Sequence, residues 1–255
     1  MCGRYQLALP GRTLASLLDA RLGAFDAQEP TWNAAPTQVL PILALAEDGA
    51  RILEPATWGL VPGWSRASGG IRPLINARAE TALEKPAFRD AMRTGRVLVP
   101  TTGFYEWQGS KASKAPKVPY VIRVRGEAIE PETGTRLGRA AEPGEPAEPF
   151  LVAGISTTWI DRDGVPHVSY AVLTTDPNEL CAPLHDRMPV ILAGDDATSW
   201  LQTPEEETEQ LLPLLASFPS DLMETWAVEP FVNDVNRNGR ELVAPAPPPV
   251  VDSLF

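Results

Sequence analysis

The sequence predicts an α+β fold, with a central β-sheet or barrel and peripheral helices. Six short apolar runs, interrupted by Pro and Gly, predict strands, whereas only three segments have a helical pattern. The two kinds of segment do not alternate regularly, which argues against a doubly wound parallel sheet. With 255 residues, the chain is long enough to bury a substantial core in one large domain.

The elements can be placed from the positions of apolar and turn-forming residues. The predicted strands cover residues 39–46, 51–58, 97–99, 118–124, 150–155 and 168–174. The first predicted helix covers 13–22, where four Leu side chains share one face and Gly23 follows as a stop. A second covers 84–94, with a proline in its first turn. A third begins at Thr203, where Glu206 completes a capping box.

Two segments offer few side chains to bury. Residues 126–149 contain six Glu, four Gly and four Pro, a composition that predicts a disordered insertion between two strands. Residues 246–255 begin with a proline-rich stretch that predicts an extended C-terminal tail.

The composition predicts a soluble protein in a reducing, cytoplasmic setting. No stretch approaches the roughly 18 apolar residues of a membrane span, and the first residues lack the basic and apolar regions of a signal peptide. Two cysteines are too few for a disulfide framework. Together with two histidines, they offer few ligands for a metal site. We therefore expect no bound metal, no membrane contact and a monomer.

The charge of the chain bears on nucleic-acid binding. A net charge of −11 opposes the approach of a phosphate backbone, which proteins bind through Lys and Arg. The charges are unevenly distributed, however, because six of the 33 acidic residues lie in the 126–149 segment and four more follow Thr203. The arginines concentrate elsewhere, at Arg66, Arg72, Arg78, Arg89, Arg93 and Arg96. A local DNA-binding surface remains compatible with this distribution.

Four short segments are richer in reactive side chains than packing requires. They are M-C-G-R-Y with Cys2 and Arg4, I-N-A-R-A-E-T with Asn76 and Arg78, F-Y-E-W with Glu106, and L-H-D-R-M-P with His185 and Arg187. Each has a structural explanation when taken alone. Cys2 would be an inert residue near a loose chain end, Asn76 a turn residue and Glu106 an exposed strand residue.

Two further patterns have competing explanations. Cys181 and His185 have a spacing that suits two metal ligands on a helix, but Pro183 lies between them and further ligands are missing. In W-G-L-V-P-G-W, Trp58 and Trp64 are either core residues or a stacking platform for nucleic-acid bases.

The order of motifs resembles the SRAP (SOS response-associated peptidase) family. The motifs are M-C-G-R-Y, W-N-A-A-P-T, W-G-L-V-P-G-W, I-N-A-R-A-E-T, V-P-T-T-G-F-Y-E-W, L-T-T-D-P-N and L-H-D-R-M-P-V-I-L. The resemblance predicts one SRAP-like domain over residues 2–245. Within this range, only the segment 126–149 does not match the family.

The resemblance implies a protein that binds single-stranded DNA at abasic sites and traps the sugar covalently, which shields the lesion. It implies that Cys2 makes the link and that Asn76, Glu106 and His185 are its catalytic partners. The positions implied to lie near the DNA strand or the sugar are Arg4, Trp64, Arg78, Thr157 and Arg187. No cofactor is implied.

The chemistry of an N-terminal cysteine gives a reason for this function. If Met1 is removed, Cys2 carries an α-amine beside its thiol, and an α-amine with a pKa of about 8 is partly neutral near pH 7. The amine can form a Schiff base with the ring-opened sugar aldehyde, and the thiol can then close a thiazolidine ring. We expect Glu106 to act as the general acid that opens the sugar and His185 to transfer protons during imine chemistry.

Two other functions stay open from the sequence. The protein would be a thiol peptidase or autopeptidase if Cys2 acted with His185 and Glu106 on peptide bonds. It would be a non-catalytic binding module if only its Trp and Arg residues held single-stranded DNA. A covalent DNA adduct that survives denaturing electrophoresis would distinguish covalent trapping of abasic sites from both alternatives.

Overall fold

A computed structural model describes residues 2–23, 29–64, 73–109 and 116–247 of the chain. Within these residues, strands form two large sheets and one separate hairpin, and a few short helices lie around the sheets. Sheets that dominate over a few peripheral helices confirm the predicted α+β fold. None of the helices in these ranges is both long and apolar enough to cross a membrane.

The strands are short and follow one another through most of the chain. They are β1 (Tyr5–Leu7), β2 (Arg21–Leu22), β3 (Thr31–Ala34), β4 (Val39–Leu45), β5 (Arg51–Trp58), β6 (Asn76–Arg78), β7 (Arg96–Thr101), β8 (Gly103–Gln108), β9 (Val118–Val124), β10 (Glu127–Ile129), β11 (Arg136–Ala140), β12 (Phe150–Ile160), β13 (Pro166–Thr175), β14 (Met188–Pro189), β15 (Ile191–Leu192) and β16 (Met223–Ala227). The α-helices are α1 (Gly11–Leu17), α2 (Ala79–Ala82), α3 (Arg89–Thr94) and α4 (Gly194–Gln202), and 3₁₀ helices cover Glu205–Leu215, Ser220–Leu222, Pro230–Asn233 and Arg240–Val243.

The larger sheet closes on itself. Strands β13, β12, β7, β4 and β5 are neighbours in that order, and β5 pairs in parallel with β13 through Thr57 and Ser169. The five strands therefore form a ring, which leaves none of them with an unpaired edge at the closure. Strand β6 also pairs with β13 and places Asn76 opposite Val172.

The smaller sheet is antiparallel, with the order β16-β9-β8-β1-β3. The pairing of Tyr5 with Phe104 brings the beginning of the chain beside β8, the strand that carries Glu106. The Trp58 ring of the larger sheet lies 5.1 Å from that of Tyr5 and 6.4 Å from that of Tyr170. One hydrophobic core thus includes side chains from both sheets.

Several elements differ from the sequence prediction. Strands β5 and β9 have the predicted bounds, whereas β12 and β13 continue further as a long hairpin whose outer part is too polar to stand out as an apolar run. The predicted helix over 13–22 ends at Leu17, because Asp19 has a positive φ of 48° and β2 then pairs with β5. The third predicted helix is a 3₁₀ helix that contains Pro213, which cannot donate a backbone hydrogen bond.

The segment 126–149 is folded, where the sequence predicted disorder. It forms the β10–β11 hairpin, and Arg123 of β9 donates to the carbonyl oxygens of Ala141 and Glu145. Three buried alanines pack inside the segment: Ala128, Ala141 and Ala147. Small side chains and a buried arginine that satisfies backbone carbonyls provide order that the average composition does not reveal. The predicted tail at 246–255 lies largely outside the described residues.

Candidate active site

Cys2 is buried rather than placed at a loose chain end, with 3% of its surface exposed. It precedes β1 of the smaller sheet, and its carbonyl oxygen accepts a 2.9 Å hydrogen bond from Nδ2 of Asn76 in β6. Burial, together with the negative charge of Glu106, raises the pKa of the Cys2 thiol to about 12. The thiol is therefore protonated at neutral pH and must lose its proton before or while it attacks a substrate.

Asn76 offers a second polar atom next to Cys2. Its Oδ1 is buried and accepts no hydrogen bond from the residues that the structure describes. An amide oxygen in this state costs free energy unless a ligand or a newly formed group donates to it. Asn76 can therefore hold Cys2 through its nitrogen and a substrate hydroxyl or amine through its oxygen.

Glu106 is a buried carboxyl on β8, with 4% of its surface exposed. The flanking rings lie on the opposite face of the sheet, where the Tyr105 hydroxyl donates to the Trp32 carbonyl at 2.8 Å and Trp107 donates to Asn233. The core around Cys2, rather than these aromatics, therefore removes Glu106 from water. Burial raises the pKa of Glu106, and the neighbouring charge of Asp186 also raises it. The carboxyl keeps its proton to a higher pH than an ordinary glutamate, as a general acid requires.

His185 lies in the helical turn that begins near Asn178. Its Nδ1 accepts a 3.0 Å hydrogen bond from the backbone N–H of Arg187 and lies 2.8 Å from Oδ1 of Asp186. When the ring is neutral, Nδ1 can accept from Arg187, and when the ring is protonated, Nδ1 can donate to Asp186. Both protonation states of His185 thus have a partner, which suits a residue that transfers protons.

A second buried thiol belongs to the same neighbourhood. Burial and the charge of Glu106 raise the pKa of Cys181 to about 12. The backbone N–H of His185 donates to the Cys181 carbonyl at 3.0 Å, so the two residues lie one helical turn apart. The four-residue spacing of Cys181 and His185 in the sequence was the signal that could have indicated this contact. Among the described residues, no three His, Cys, Asp or Glu side chains are arranged to hold a metal ion.

A pair of buried tyrosines near Cys2 was not predicted from the sequence. The hydroxyls of Tyr5 and Tyr170 are 2.9 Å apart, and burial raises the pKa of both phenols. Tyr5 closes the M-C-G-R-Y motif, but no sequence pattern indicated its partner on β13. The pair remains neutral and supplies hydrogen bonding without charge beside the thiol.

Two arginines that the resemblance places near DNA are bound by other groups of the protein. Nη1 of Arg4 donates at 2.7 Å to both Oδ1 of Asn33 and the Val232 carbonyl. Arg187 is 8% exposed, and its guanidinium forms a two-point ion pair with Glu80. Both side chains therefore connect separate segments of the fold.

Of the other three predicted DNA-binding residues, Arg78 and Trp64 are exposed and Thr157 is partly buried. Arg78 is exposed at the end of β6, two residues after Asn76 and hence on the same side of the strand. Trp64 is 63% exposed and lines a separate open cavity of about 460 Å³ together with Thr157. The Thr157 hydroxyl donates to the Val61 carbonyl at 2.7 Å and lies 3.5 Å from the Ser169 hydroxyl, so towards a ligand it can act only as an acceptor. The lining of this cavity does not include Cys2, Asn76, Glu106 or His185.

Known proteins share both this sequence pattern and this fold. The abasic site processing protein YoaM of Bacillus subtilis is 33% identical over 252 residues, which cover 95% of this chain and 97% of that protein. The mouse abasic site processing protein HMCES is 30% identical, with 96% of this chain and 76% of that protein covered. A crystal structure of a protein from Bacteroides thetaiotaomicron has the same fold, with a TM-score of 0.76, 24% identity and coverage of 96% of this chain and all of that one. Because residues 1–235 match the family described as SOS response associated peptidase, this chain belongs to the SRAP family.

Proposed function

We propose that this protein processes abasic sites in DNA by forming a covalent thiazolidine link between the sugar and Cys2. Relatives that align with nearly the whole chain are named abasic site processing proteins. The observation that carries the proposal is the placement of Cys2, whose backbone is held by Asn76 and whose thiol lies within the field of the buried Glu106 carboxyl. These groups supply a nucleophile, an orienting amide and an acid.

The first step is removal of Met1, which converts the backbone nitrogen of Cys2 from an amide into a free amine. An amide nitrogen does not form a Schiff base, whereas an amine with a pKa of about 8 is partly neutral under physiological conditions. The same position then carries two nucleophiles on adjacent carbons. The second nucleophile reacts intramolecularly and gains the advantage of proximity.

The second step opens the sugar. An abasic deoxyribose is mostly a closed hemiacetal, and its ring C–O bond breaks when the ring oxygen receives a proton and the anomeric hydroxyl loses one. Glu106 is suited to donate this proton because its pKa is raised by burial. The product is an open-chain aldehyde with a free hydroxyl at the former ring oxygen.

The third step forms the imine. The Cys2 amine adds to the aldehyde carbon, and the resulting carbinolamine loses its hydroxyl as water. His185 is suited to donate a proton to this hydroxyl and to take it back in the reverse direction. The open acceptor on Asn76 is suited to hold the nitrogen or the hydroxyl in position.

The fourth step closes the ring. The Cys2 sulfur bonds to the imine carbon, the C=N bond becomes a single bond, and the thiol proton passes to the nitrogen. Cysteine and aldehyde together lose one water, so the step needs no oxidant or cofactor. A Cys2 thiol with a pKa of about 12 argues against the thiol-peptidase alternative, because thiol peptidases depend on a lowered cysteine pKa.

DNA is proposed to approach along the surface that carries Arg78 and Trp64. An exposed arginine neutralises phosphate, and an exposed indole can stack on an unpaired base, which requires single-stranded DNA. We propose that the protein acts as a cytoplasmic monomer. The negative net charge predicts modest affinity with a strong dependence on salt.

The test is a reaction of the purified protein with a single-stranded oligonucleotide that contains one abasic site. We expect an adduct that survives denaturing electrophoresis, has the mass of protein plus DNA minus one water, and maps to Cys2. An undamaged oligonucleotide of the same sequence should give none. An adduct at another residue, or full activity in protein that retains Met1, would overturn the proposal.

A further inference from the structure

We propose that Asn178 is a positioning residue that anchors the helical turn carrying His185 and thereby sets the place from which His185 transfers protons. The inference rests on the proposed function, in which His185 serves the imine step. It gives a role to the last residue of the motif L-T-T-D-P-N, which the proposed mechanism does not otherwise use.

Asn178 begins the turn that ends at His185. Its side-chain Oδ1 accepts the backbone N–H of Cys181 at 3.0 Å, and its carbonyl accepts from Cys181 at 3.1 Å and from Ala182 at 2.9 Å. A side-chain oxygen that accepts from the N–H three residues further on is the arrangement of a helix N-cap. The Cys181 carbonyl then accepts the N–H groups of Leu184 at 2.9 Å and of His185 at 3.0 Å. The hydrogen bonds of the turn therefore run from Asn178 to His185 without a break.

The other polar atoms of Asn178 connect the turn to both sheets. Nδ2 donates to the Phe218 carbonyl at 2.7 Å and to Sδ of Met223 in β16 at 3.2 Å. The backbone N–H donates to Sδ of Met188 in β14 at 3.4 Å. Because Asn178 is buried, with 9% of its surface exposed, removal of its side chain would leave partners that water does not readily replace. One side chain thus caps the turn and fixes it to the body of the protein.

Two serines contact the same region from the segment 217–220. The Ser217 hydroxyl donates to the Asp176 carbonyl at 2.7 Å, and the Ser220 hydroxyl donates to Oε2 of Glu179 at 2.7 Å. Both contacts are exposed, and neither involves an N–H group of the turn. An exposed hydrogen bond is readily replaced by water. The Ser220 contact therefore provides a matched control beside the buried contacts of Asn178.

The ring of His185 depends on this anchoring for its place in the site. Its Nδ1 lies 3.0 Å from the Arg187 N–H and 2.8 Å from the Asp186 carboxylate, and both partners are within two residues of His185 in the chain. These contacts orient the ring relative to its own turn and move with it. Burial and the charge of Glu106 raise the pKa of the Cys181 thiol, so the middle of the turn packs near the carboxyl proposed as the general acid. A displacement of the turn by about 1 Å is enough to lower a rate about 10²-fold.

The first experiment uses the full-length protein. Adduct formation is timed at saturating abasic single-stranded DNA, and non-covalent affinity is measured with the undamaged oligonucleotide. We expect Asn178→Ala to slow the adduct about 10- to 100-fold without a change in the dissociation constant. A small open aldehyde should be slowed by the same factor, because His185 serves the imine step with both. Ser220→Ala should keep the wild-type rate and affinity. An unchanged rate in Asn178→Ala, or weaker binding at a normal saturated rate, would overturn the inference.

A double variant shows whether Asn178 acts through His185. We expect Asn178→Ala to slow the wild-type protein but not the His185→Ala protein, because the imidazole that it positions is then absent. A general loss of structure would instead slow both proteins by the same factor, and that result would exclude a positioning role. Asn178→Ser retains an oxygen that can cap the turn, so it permits the same comparison if Asn178→Ala does not fold.

Amide hydrogen exchange of the free protein does not depend on adduct formation. The N–H groups of Cys181 and His185 both donate within the turn. We expect them to exchange about fivefold faster in Asn178→Ala than in the wild type, while the amides of β5 keep their wild-type rates. Unchanged exchange of both turn amides would refute the anchoring by Asn178. If the wild type formed no adduct, the proposed function would fail, whereas exchange would still decide whether Asn178 holds the turn.

Discussion

Asn76 donates its side-chain amide to the carbonyl oxygen of Cys2 at 2.9 Å, and this hydrogen bond joins the two sheets at the reactive residue. It fixes the backbone from which both the amine and the thiol of Cys2 extend. A single hydrogen bond of this kind contributes about 1 kcal/mol, enough to bias the orientation of a short chain segment.

Replacement of Asn76 should therefore slow the chemistry and spare DNA binding. We expect Asn76→Ala to lower the rate of adduct formation by about fivefold, because about 1 kcal/mol corresponds to a factor of about five. The measurement is the single-turnover rate at saturating abasic DNA. The matched control is Asn236→Ala, since Asn236 is exposed and its side-chain amide donates to Asp234 nearby. Equal rates for the two variants would remove Asn76 from the mechanism.

Loss of the Cys2 thiol should abolish the stable adduct. Cys2→Ala keeps the amine after Met1 removal, so it can form an imine, but no sulfur is present to close the ring. We expect no adduct that survives denaturation. Binding to an oligonucleotide that carries a tetrahydrofuran analogue of the abasic site, which has no aldehyde, should be unchanged. Cys181→Ala is the control and should still form the adduct. A stable adduct of normal yield from Cys2→Ala would exclude the thiazolidine.

Both thiols should resist reaction with a disulfide reagent in the folded protein. Burial raises the pKa of Cys2 and of Cys181 to about 12, so at pH 8 about one thiol in 10⁴ is ionised. We expect a thiol-specific disulfide reagent to label neither cysteine quickly in the native state and both after unfolding. Rapid labelling of native Cys2 near neutral pH would instead indicate the activated thiolate of a thiol peptidase.

The hairpin at 126–149 should depend on one buried cation. Arg123 is 3% exposed, donates to two carbonyls of the hairpin and pairs with Glu224. We expect Arg123→Ala to lower the free energy of unfolding in urea by about 2–3 kcal/mol, because it leaves those carbonyls without their donor and removes the buried partner of the Glu224 carboxylate. Arg125→Ala should change it by less than about 1 kcal/mol, since that side chain is 61% exposed and pairs with the same glutamate at 3.4 Å. Equal effects would show that the hairpin does not rely on Arg123.

The sequence predicted local elements of the fold better than contacts between distant segments. Apolar runs located β5 and β9 correctly, because strand formation there depends on a local pattern of side chains. The parallel pairing of β5 with β13, which closes the barrel, joins residues more than 100 positions apart and leaves no local signal. The pairing of Glu80 with Arg187 also leaves no local signal, because the two residues are 107 positions apart. For this reason no local pattern indicated that the guanidinium of Arg187 pairs with Glu80.

The burial of Glu106 predicts a substrate-dependent effect of its replacement. Glu106→Gln keeps the shape of the side chain but removes the acid proton, and a positioned acid contributes roughly 10²–10⁴-fold to a rate. Adduct formation with an abasic site should slow by about this factor. A small aldehyde that is already open should react with Cys2 at nearly the wild-type rate, because no sugar ring has to open.

The pH dependence of the wild type and of Glu106→Gln gives an independent check on the role of Glu106. Burial raises the pKa of this carboxyl, so its acid form persists to a higher pH than in an ordinary glutamate and is lost as the pH rises further. The Cys2 amine has the opposite requirement, since it reacts only after losing its proton. The wild-type rate with an abasic site should therefore rise and then decline with increasing pH, whereas the Glu106→Gln rate should rise to a plateau. His185→Ala serves as the comparison, because loss of the imidazole should slow both the abasic site and the open aldehyde. If Glu106→Gln slowed both aldehydes equally and kept the alkaline decline, Glu106 would act on the nucleophile and not on the opening of the sugar.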